Sequence, residues 1–222
     1  MKNGMLLFLF ALLSCVVIAQ PRTMVAVKAT QAIKIDASLD EAIWQQAPVA
    51  GEFIQLTPNY GQPSVVKSEV RILYDNDAVY IGAYLFDEPS EIRKQLTSRD
   101  GEQQQDVDHF SVFFDTYNDL QNGFQFLVTS ANVQTDTRLS GGGNYGYGSP
   151  GDKTWDAVWE SKTAITDKGW IAELRIPYIS LRFSKKDVQT WGLQFARSVR
   201  RFNETSFWNP VSPQVNGFVN QF

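Results

Sequence analysis

Acidic side chains crowd one stretch of the sequence, and their carboxylates are well suited to holding a metal ion. Six fall within twenty residues: Asp100, Glu102, Asp106, Asp108, Asp115 and Asp119. Calcium takes about six to eight oxygen ligands from carboxylates, amides and carbonyls, so this composition suits a structural Ca²⁺ ion. EF-hand spacing is absent, so the ligands would come from separate loops. The candidate ligands are Asp106, Asp108, Asp115, Asp119 and Asp136. The alternative is a solvated acidic rim on a net-negative protein.

Aromatic side chains provide a second kind of candidate site. Trp155 and Trp159 are four residues apart in a segment that the pattern predicts as a strand. Such residues share a face about 13 Å apart, so an exposed pair would stack on two ring units of a ligand. The alternative is ordinary core packing of both rings. The remaining candidate ligand contacts are Trp208 as a platform and Arg71, Arg197 and Gln125 as hydrogen-bonding groups.

A glycine-rich segment over residues 140–151 interrupts the strand pattern and predicts a loop. Its glycines satisfy G-x-G-x-x-G, but no helical pattern follows, so a dinucleotide site is not inferred. Tyr145 and Tyr147 lie in this segment and are the aromatic residues least expected in the core. They are candidates for a lid that stacks on a ligand. The alternative is a loop without a binding role.

Composition excludes several classes of function. The chain has 222 residues, 20 basic and 24 acidic side chains, a formal net charge of −4 and a pI near 5.1. Nucleic-acid binding needs clustered Lys and Arg, so no nucleic-acid partner is expected. One cysteine and one histidine, His109, exclude an internal disulfide and a cysteine zinc site. His109 is expected to be structural. Nothing resembles an esterase elbow, a zinc-protease motif or a phosphate-binding loop, so no catalysis is expected.

The N-terminus has the features of an export signal. A lysine at position 2 precedes an apolar run over residues 5–18, which is short for a membrane span of about 20 residues. Small residues predict cleavage after Ala19, giving a signal peptide over 1–19 and a mature domain over 20–222. The alternative is a lipoprotein signal with lipidation at Cys15. The protein is therefore predicted to be exported to the periplasm, the outer membrane or the extracellular space.

The elements that must position these groups are strands. The pattern of apolar and polar residues predicts strands over residues 32–35, 66–74, 79–86, 107–115, 123–129, 155–165, 170–176 and 191–202, with one helical turn at 39–44. Turns at 75–77 and 167–169 join neighbouring strands. Trp44, Trp170 and Trp191 fall inside apolar patterns and are predicted core residues. No long helical pattern separates the strands, so the sequence predicts an all-β, single-domain antiparallel β-sandwich of jelly-roll or immunoglobulin-like type.

Seven short phrases occur in order along the chain. They are residues 35–44 (IDASLDEAIW), 70–75 (VRILYD), 79–82 (VYIG), 108–115 (DHFSVFFD), 169–177 (GWIAELRIP), 181–183 (LRF) and 191–197 (WGLQFAR). Together they resemble the family 9 carbohydrate-binding module found at the front of larger secreted bacterial proteins. The resemblance extends from about residue 33 to the C-terminus. It implies a β-sandwich, an oligo- or polysaccharide ligand and a structural calcium ion. Many similar proteins continue into a domain resembling an outer-membrane β-barrel, so a barrel is an expected partner.

The chain departs from the sugar-binding members of this family at two places. Those members hold a terminal sugar between two tryptophans, because sugar C–H faces pack well on indole. The first position corresponds to residues 103–106 (QQQD) and the second to residues 212–216 (SPQVN), and neither has an aromatic residue. Two functions therefore stay open: a non-catalytic carbohydrate-binding module, or a structural or interaction domain that lost the clamp and docks onto a membrane barrel. An O-glycosyl hydrolase, which needs only paired carboxylates, is a third alternative.

Overall fold

Eleven β-strands form the regular structure of the chain in the computed structural model, which describes residues 21–101, 106–140 and 151–221. In chain order they are β1 (Val27–Lys28), β2 (Ile54–Thr57), β3 (Ser68–Tyr74), β4 (Ala78–Phe86), β5 (His109–Asp115), β6 (Asn122–Thr129), β7 (Gln134–Ser140), β8 (Glu160–Thr166), β9 (Gly169–Pro177), β10 (Gly192–Val199) and β11 (Glu204–Phe207). Helical structure in these ranges consists of short 3₁₀ turns. None of its helices is long and apolar enough to cross a membrane.

The strands form two sheets. One has five strands in the order β1-β3-β4-β9-β8, and the other has six in the order β2-β11-β10-β5-β6-β7. Neighbouring strands are antiparallel except β1 and β3, which are parallel over two residues. The β-sandwich prediction is confirmed.

The space between the two sheets is filled by alternate residues of the long strands. Side chains of a strand point to opposite faces in turn, so Val70 and Ile72 of β3 enter the same buried cluster as Phe110 and Phe195. The rings of Phe110 and Phe195, on neighbouring strands, stack with centroids 6.0 Å apart. Trp170 is fully buried in this cluster, as predicted. Removal of this apolar surface from water is the main stabilisation of the sandwich.

The chain ahead of β2 covers the outer face of the five-stranded sheet. Its Trp44 is fully buried above Gly82 of β4, in a second apolar cluster. Glu173 of β9 lies under the same cover with no exposed surface. Its Oε2 accepts the backbone N–H groups of Asp36 at 2.9 Å and Ala37 at 2.8 Å. A buried carboxylate therefore attaches this covering segment to the sheet.

The C-terminal segment covers part of the outer face of the six-stranded sheet. Phe113 of β5 and Phe207 of β11 are buried there with Val211 and Phe218 in a third cluster. The Phe113 and Phe218 rings meet edge to face with centroids 5.0 Å apart. This cover extends to the start of β6, where Val219 lies next to Gly123.

Several strand predictions need correction. Residues 32–35 form no strand, and the segment predicted over 155–165 becomes regular only at Glu160. The predicted helical turn is a 3₁₀ turn at Trp44–Gln46. The strand predicted over 191–202 ends at Val199 and continues as a 3₁₀ turn. β1, β2, β7 and β11 were not predicted, because these strands are short or largely polar and show no apolar alternation.

Candidate functional site

The outer face of the six-stranded sheet becomes polar towards the start of β5. Strand register places Ser111 beside Leu127 and Thr135, and Phe113 beside Gln125 and Thr137. At the start of β5, His109 lies opposite Ser198 of β10 and is half-buried in its strand. We call this part of the sheet the polar outer face and define it as His109, Ser111, Gln125, Thr135, Thr137 and Ser198. His109 and Gln125 are half-buried, and the other four are buried.

Gln125 is the central group of the polar outer face. It is half-buried, and its Nε2 donates to the hydroxyl of Ser111 at 3.2 Å. The hydroxyl of Thr137, on the next strand, is buried and makes no hydrogen bond with the described residues. A buried polar group without a partner costs about 1–3 kcal/mol, so this hydroxyl favours an additional partner. The strand register places Gln125 on the outward side of β6, and its role as a ligand contact stays a prediction.

Two segments begin and end beside this face. Gly151 packs so closely on Thr137 that a Cβ there would overlap its methyl group. Residues 141–150, with the candidate residues Tyr145 and Tyr147, lie outside the described structure, between Ser140 of β7 and Gly151. Residues 102–105 are also outside it. The ends of the two segments meet where Lys153 Nζ donates to the carbonyl of Asp100 at 3.1 Å.

The chain between Gly151 and β8 is held by Asp136 of β7. Asp136 is buried, and its Oδ2 accepts the backbone N–H of Ala157 at 2.7 Å. Its Oδ1 accepts the indole N–H of Trp159 at 3.2 Å and also pairs with Arg99. Arg99 in turn donates to Asp156 at 2.8 Å. Asp136 therefore has the role of a structural anchor for this connection.

The two predicted platform tryptophans do not form an exposed pair. Trp159 is 6% exposed and packs edge to face on Phe126, with centroids 5.4 Å apart. Trp155 is partly buried against Phe124 at 4.9 Å. Both precede β8, so the shared strand face on which their predicted spacing rested does not exist. Both residues therefore follow the core-packing alternative, and the prediction of an exposed stacking pair is wrong.

Arg197 is the clearest correction among the predicted sugar contacts. It has no exposed surface and points between the sheets. Its guanidinium donates to the carbonyls of Lys67 at 2.8 Å and Phe86 at 2.9 Å and lies 3.5 Å from Asp87. Burial lowers the pKa of Arg197 to about 10, because removal from water disfavours the charged form, while Asp87 opposes this effect. Arg197 thus connects the two sheets and is out of reach of a ligand.

The other two predicted contacts lie away from the polar outer face. Arg71 is on β3 of the opposite sheet, and its side chain pairs with Glu69 at 3.4 Å. Trp208 follows β11, is 5% exposed and packs on Phe195 with centroids 5.6 Å apart. Neither residue therefore extends the site around Gln125.

The predicted calcium ligands have separate partners. Asp108 is buried and accepts the backbone N–H groups of Arg93 and Arg200, while desolvation raises its pKa. Asp115 is buried and accepts the N–H of Leu120 at 2.7 Å.

The two exposed predicted ligands behave similarly. Asp119 accepts N–H groups of its own turn, and Asp106 lies 3.8 Å from Arg93. Although one oxygen of Asp115 is buried without a partner, the described residues contain no group of three His, Cys, Asp or Glu that could hold a metal ion. The described side chains thus do not fit a calcium site, and the ion stays a prediction.

The polar outer face suits a neutral, hydroxyl-rich ligand. Amide, imidazole and hydroxyl groups supply both donors and acceptors. Among the described outward residues of β5, β6 and β7, one is a carboxylate, Asp115. It is buried at the end of β5 opposite to His109, so it adds no exposed charge to the polar outer face. Sequence reasoning found Gln125 but missed Ser111 and Thr137. The alternation of inward and outward side chains along β5 could have indicated Ser111. Thr137 lies on β7, which was not predicted, so only the strand pairing reveals it.

The two-sheet sandwich places the chain in the class of β-sandwich domains. The sequence matches the carbohydrate family 9 binding domain-like family over residues 35–203, and the chain belongs to this family. A comparison with curated protein sequences finds no match.

Solved structures share the fold. A family 9 module from Caldicellulosiruptor kristjanssonii in complex with cellotriose is 18% identical, with a TM-score of 0.60 over 89% of this chain and 90% of that chain. A structure of a family 9 module from the same organism with glucose is 18% identical, with a TM-score of 0.55 over 82% and 83%. A putative carbohydrate-binding protein from Bacteroides uniformis ATCC 8492 is 9% identical, with a TM-score of 0.66 over 88% and 93%.

Proposed function

We propose that this chain is a non-catalytic carbohydrate-binding module that acts outside the cytoplasm on an oligo- or polysaccharide. The polar outer face carries the proposal, because the half-buried amide of Gln125 lies beside the buried hydroxyls of Ser111 and Thr137, three neutral groups on neighbouring strands. Such groups match sugar hydroxyls and offer no charge for an ionic ligand. Family membership and the cellotriose and glucose bound by two modules of similar fold support the same class of ligand.

The aromatic platform in this proposal comes from Tyr145 and Tyr147. Both ends of their segment are attached beside Thr137 and Leu139 on the same outer face. Ordering a glycine-rich segment over a ligand costs about 1–2 kcal/mol per residue fixed. We therefore expect dissociation constants nearer the millimolar than the micromolar range.

Isothermal titration against xylo-, cello- and manno-oligosaccharides tests the proposal. Saturable binding to one of these series supports it, and flat titrations across all three would overturn it. Gln125→Ala should weaken binding about five-fold, the effect of losing roughly one hydrogen bond. Gln31→Ala is the matched control, because Gln31 is exposed in the segment ahead of β2, which covers the five-stranded sheet instead. Equal loss of binding in both variants would remove Gln125 from the site.

A second candidate function, an interaction domain that docks onto a membrane barrel, is favoured by the packing of the tryptophans. Trp44 and Trp170 are fully buried, Trp159 and Trp208 nearly so, and Trp155 and Trp191 pack partly buried against the core. An indole pair open to a sugar is thus absent from the described residues. Co-purification of this chain with a barrel domain, together with flat sugar titrations, would favour docking over sugar binding.

Two further expectations have simple tests. Chromogenic glycosides should show no turnover, and sustained hydrolysis would instead favour the hydrolase alternative. Chelation tests the calcium prediction: an ion at about 100 times its dissociation constant would add about 2.7 kcal/mol to the native state, so a fall of several degrees in melting temperature with EDTA would reveal an ion that the described side chains alone do not hold. An unchanged melting curve in metal-free buffer would leave the solvated acidic rim.

A further inference from the structure

A shallow cavity of about 310 Å³ lies beside β2 and β11, lined by Arg22, Val49, Gly51, Glu52 and Trp208. β2 and β11 are at one edge of the six-stranded sheet, whereas β6 and β7 are at the other. The cavity and the polar outer face are therefore separate places on the molecule. Its volume is at the lower end of the range for small-molecule sites, about 300–1,000 Å³.

Arg22 is held rigidly in the wall of this cavity. Its Nη1 donates to the carbonyls of Glu52 and Trp208, both at 2.7 Å, and of Gly51 at 3.2 Å. Its backbone N–H donates to Asn209 at 2.7 Å. The Nε and Nη2 groups make no hydrogen bond with any described residue. A fixed guanidinium thus keeps donors available at little further loss of side-chain entropy on binding.

Glu52 is the second charged residue that lines the cavity. Its backbone has φ of 56°, a left-handed conformation that is uncommon for residues other than glycine, asparagine and aspartate. Its carboxylate forms no ion pair with the residues that the structure describes. Val49, 47% exposed, and the narrow accessible edge of Trp208 add apolar surface. The cavity therefore combines donors, an acceptor and an apolar edge, with one positive and one negative charge.

We propose that this cavity is a second carbohydrate site, which takes one neutral sugar unit. Arg22 donates to hydroxyl oxygens, Glu52 accepts from hydroxyl hydrogens, and a C–H edge of the ring contacts Val49 and Trp208. The positive charge of Arg22 and the negative charge of Glu52 leave the cavity with no net charge, so it offers no net attraction to an ionic ligand and suits an uncharged polyol. The proposal shares the ligand class of the proposed function but not its residues.

NMR titration with glucose, xylose and mannose tests the second site, using the indole N–H of Trp208 as reporter and Trp208→Phe to assign its signal. Saturable shifts are expected, with a dissociation constant in the millimolar range, as sugar concentration rises to about 100 mM. In Arg22→Lys an ammonium can still bond the three carbonyls but lacks the Nε and Nη2 donors, so affinity should fall about five-fold. Arg182→Lys, an exposed change with no ion pair in the described chain, should bind as the parent does.

The variants separate this proposal from the first. Gln125→Ala should leave the Trp208 response intact, and loss of that response would mean one shared site and overturn the second. If the sugar affinity reported by the Trp208 signal is unchanged in Arg22→Lys, the second site is also overturned. If calorimetry detects binding that depends on Gln125 while the chemical shift of Trp208 does not change, the second site is overturned and the proposed function is retained. If neither method detects sugar, both proposals fail. Should Arg22→Lys not fold, Glu52→Ala carries the same test, because it removes the proposed side-chain acceptor and retains the backbone carbonyl of residue 52. Its affinity should also fall about five-fold, and an unchanged affinity would overturn the proposal.

Discussion

The indole of Trp44 lies directly against the backbone of Gly82. A Cβ at residue 82 would stand 2.9 Å from Cζ3 of Trp44 and 2.7 Å from Cδ2 of Leu39. Trp44 is fully buried there, and its Nε1 donates to Glu41 at 3.1 Å. Trp44 ends one of the phrases that carry the family resemblance and Gly82 ends another. The two phrases thus meet at one contact, where glycine is required by the close approach of the indole.

Gly82→Ala should destabilise the protein through overpacking. The added methyl group must displace a buried indole, which costs about 1–3 kcal/mol. Urea unfolding followed by tryptophan fluorescence should show a lower midpoint with an unchanged slope. Gly51→Ala is the control, because the nearest atom to its added Cβ is 3.5 Å away. Equal midpoints for the parent and Gly82→Ala would contradict the packing argument.

Burial of Glu173 should make stability depend on pH. Desolvation raises the pKa of its carboxyl from 4.5 to about 7, with Glu41 and Asp36 adding to the effect. The native state binds this proton more tightly than the unfolded state, so the contribution of Glu173 to stability is greatest below pH 4.5 and is lost as pH rises to 7. The loss is on the order of 3 kcal/mol.

Glu173→Gln tests this dependence, because its amide oxygen can still accept the N–H groups of Asp36 and Ala37. Unfolding free energies measured at pH 5 and pH 8 should differ less in the variant than in the parent. Other groups titrate in both proteins, so the difference between the two isolates residue 173. Parallel pH profiles would show that Glu173 is not the group responsible.

Replacement of Arg197 should affect stability rather than sugar binding. Arg197→Met removes the donors to the carbonyls of Lys67 and Phe86 and leaves the buried carboxylate of Asp87 with less compensation. Loss of one partner of a buried pair costs about 3–5 kcal/mol. Arg93→Met, at an exposed side chain, should change the unfolding free energy by no more than about 0.5 kcal/mol. A stable Arg197→Met variant with weakened sugar binding would restore the original ligand-contact prediction.

Replacement of Tyr145 and Tyr147 by alanine together should abolish sugar binding and leave the melting temperature nearly unchanged. The reason is that a stacking platform contributes contacts only when a ligand is present. Calorimetry and a thermal scan of the same preparation measure both effects. Binding that survives the double replacement would leave this segment without a binding role. A collapse in stability would instead place the tyrosines in the core.

Local pattern was sufficient for the long strands. Apolar and polar residues alternate along β3, β4 follows as an almost wholly apolar run, and Asp75 caps the turn between them by accepting the N–H groups of Asp77 and Ala78, both at 2.8 Å. Each of these features acts within a few residues along the chain. The sequence therefore determined the hairpins and, with no helical pattern between strands, the all-β class.

Pairing decided what local pattern did not. β7 is largely polar and forms because β6 offers it seven paired positions, which also places Thr137 beside Gln125. Trp155 and Trp159 continue an apparent strand pattern, yet Asp136 binds the N–H of Ala157 and the indole of Trp159, and the strand starts only afterwards. These partners are distant in the sequence, so no window of neighbouring residues contains them.

The sequence by itself determined the sandwich and its family, because periodicity and ordered phrases are local properties of the chain. The outward position of Gln125 followed only from the pairing of β6 with β5. Only the tertiary structure decided the roles of Arg197 and Trp208. An arginine in a strand normally reaches solvent, and here the packing of two sheets surrounds it with backbone carbonyls that satisfy its donors. Whether a polar or aromatic side chain is a ligand contact or a structural connection depends on which distant groups surround it.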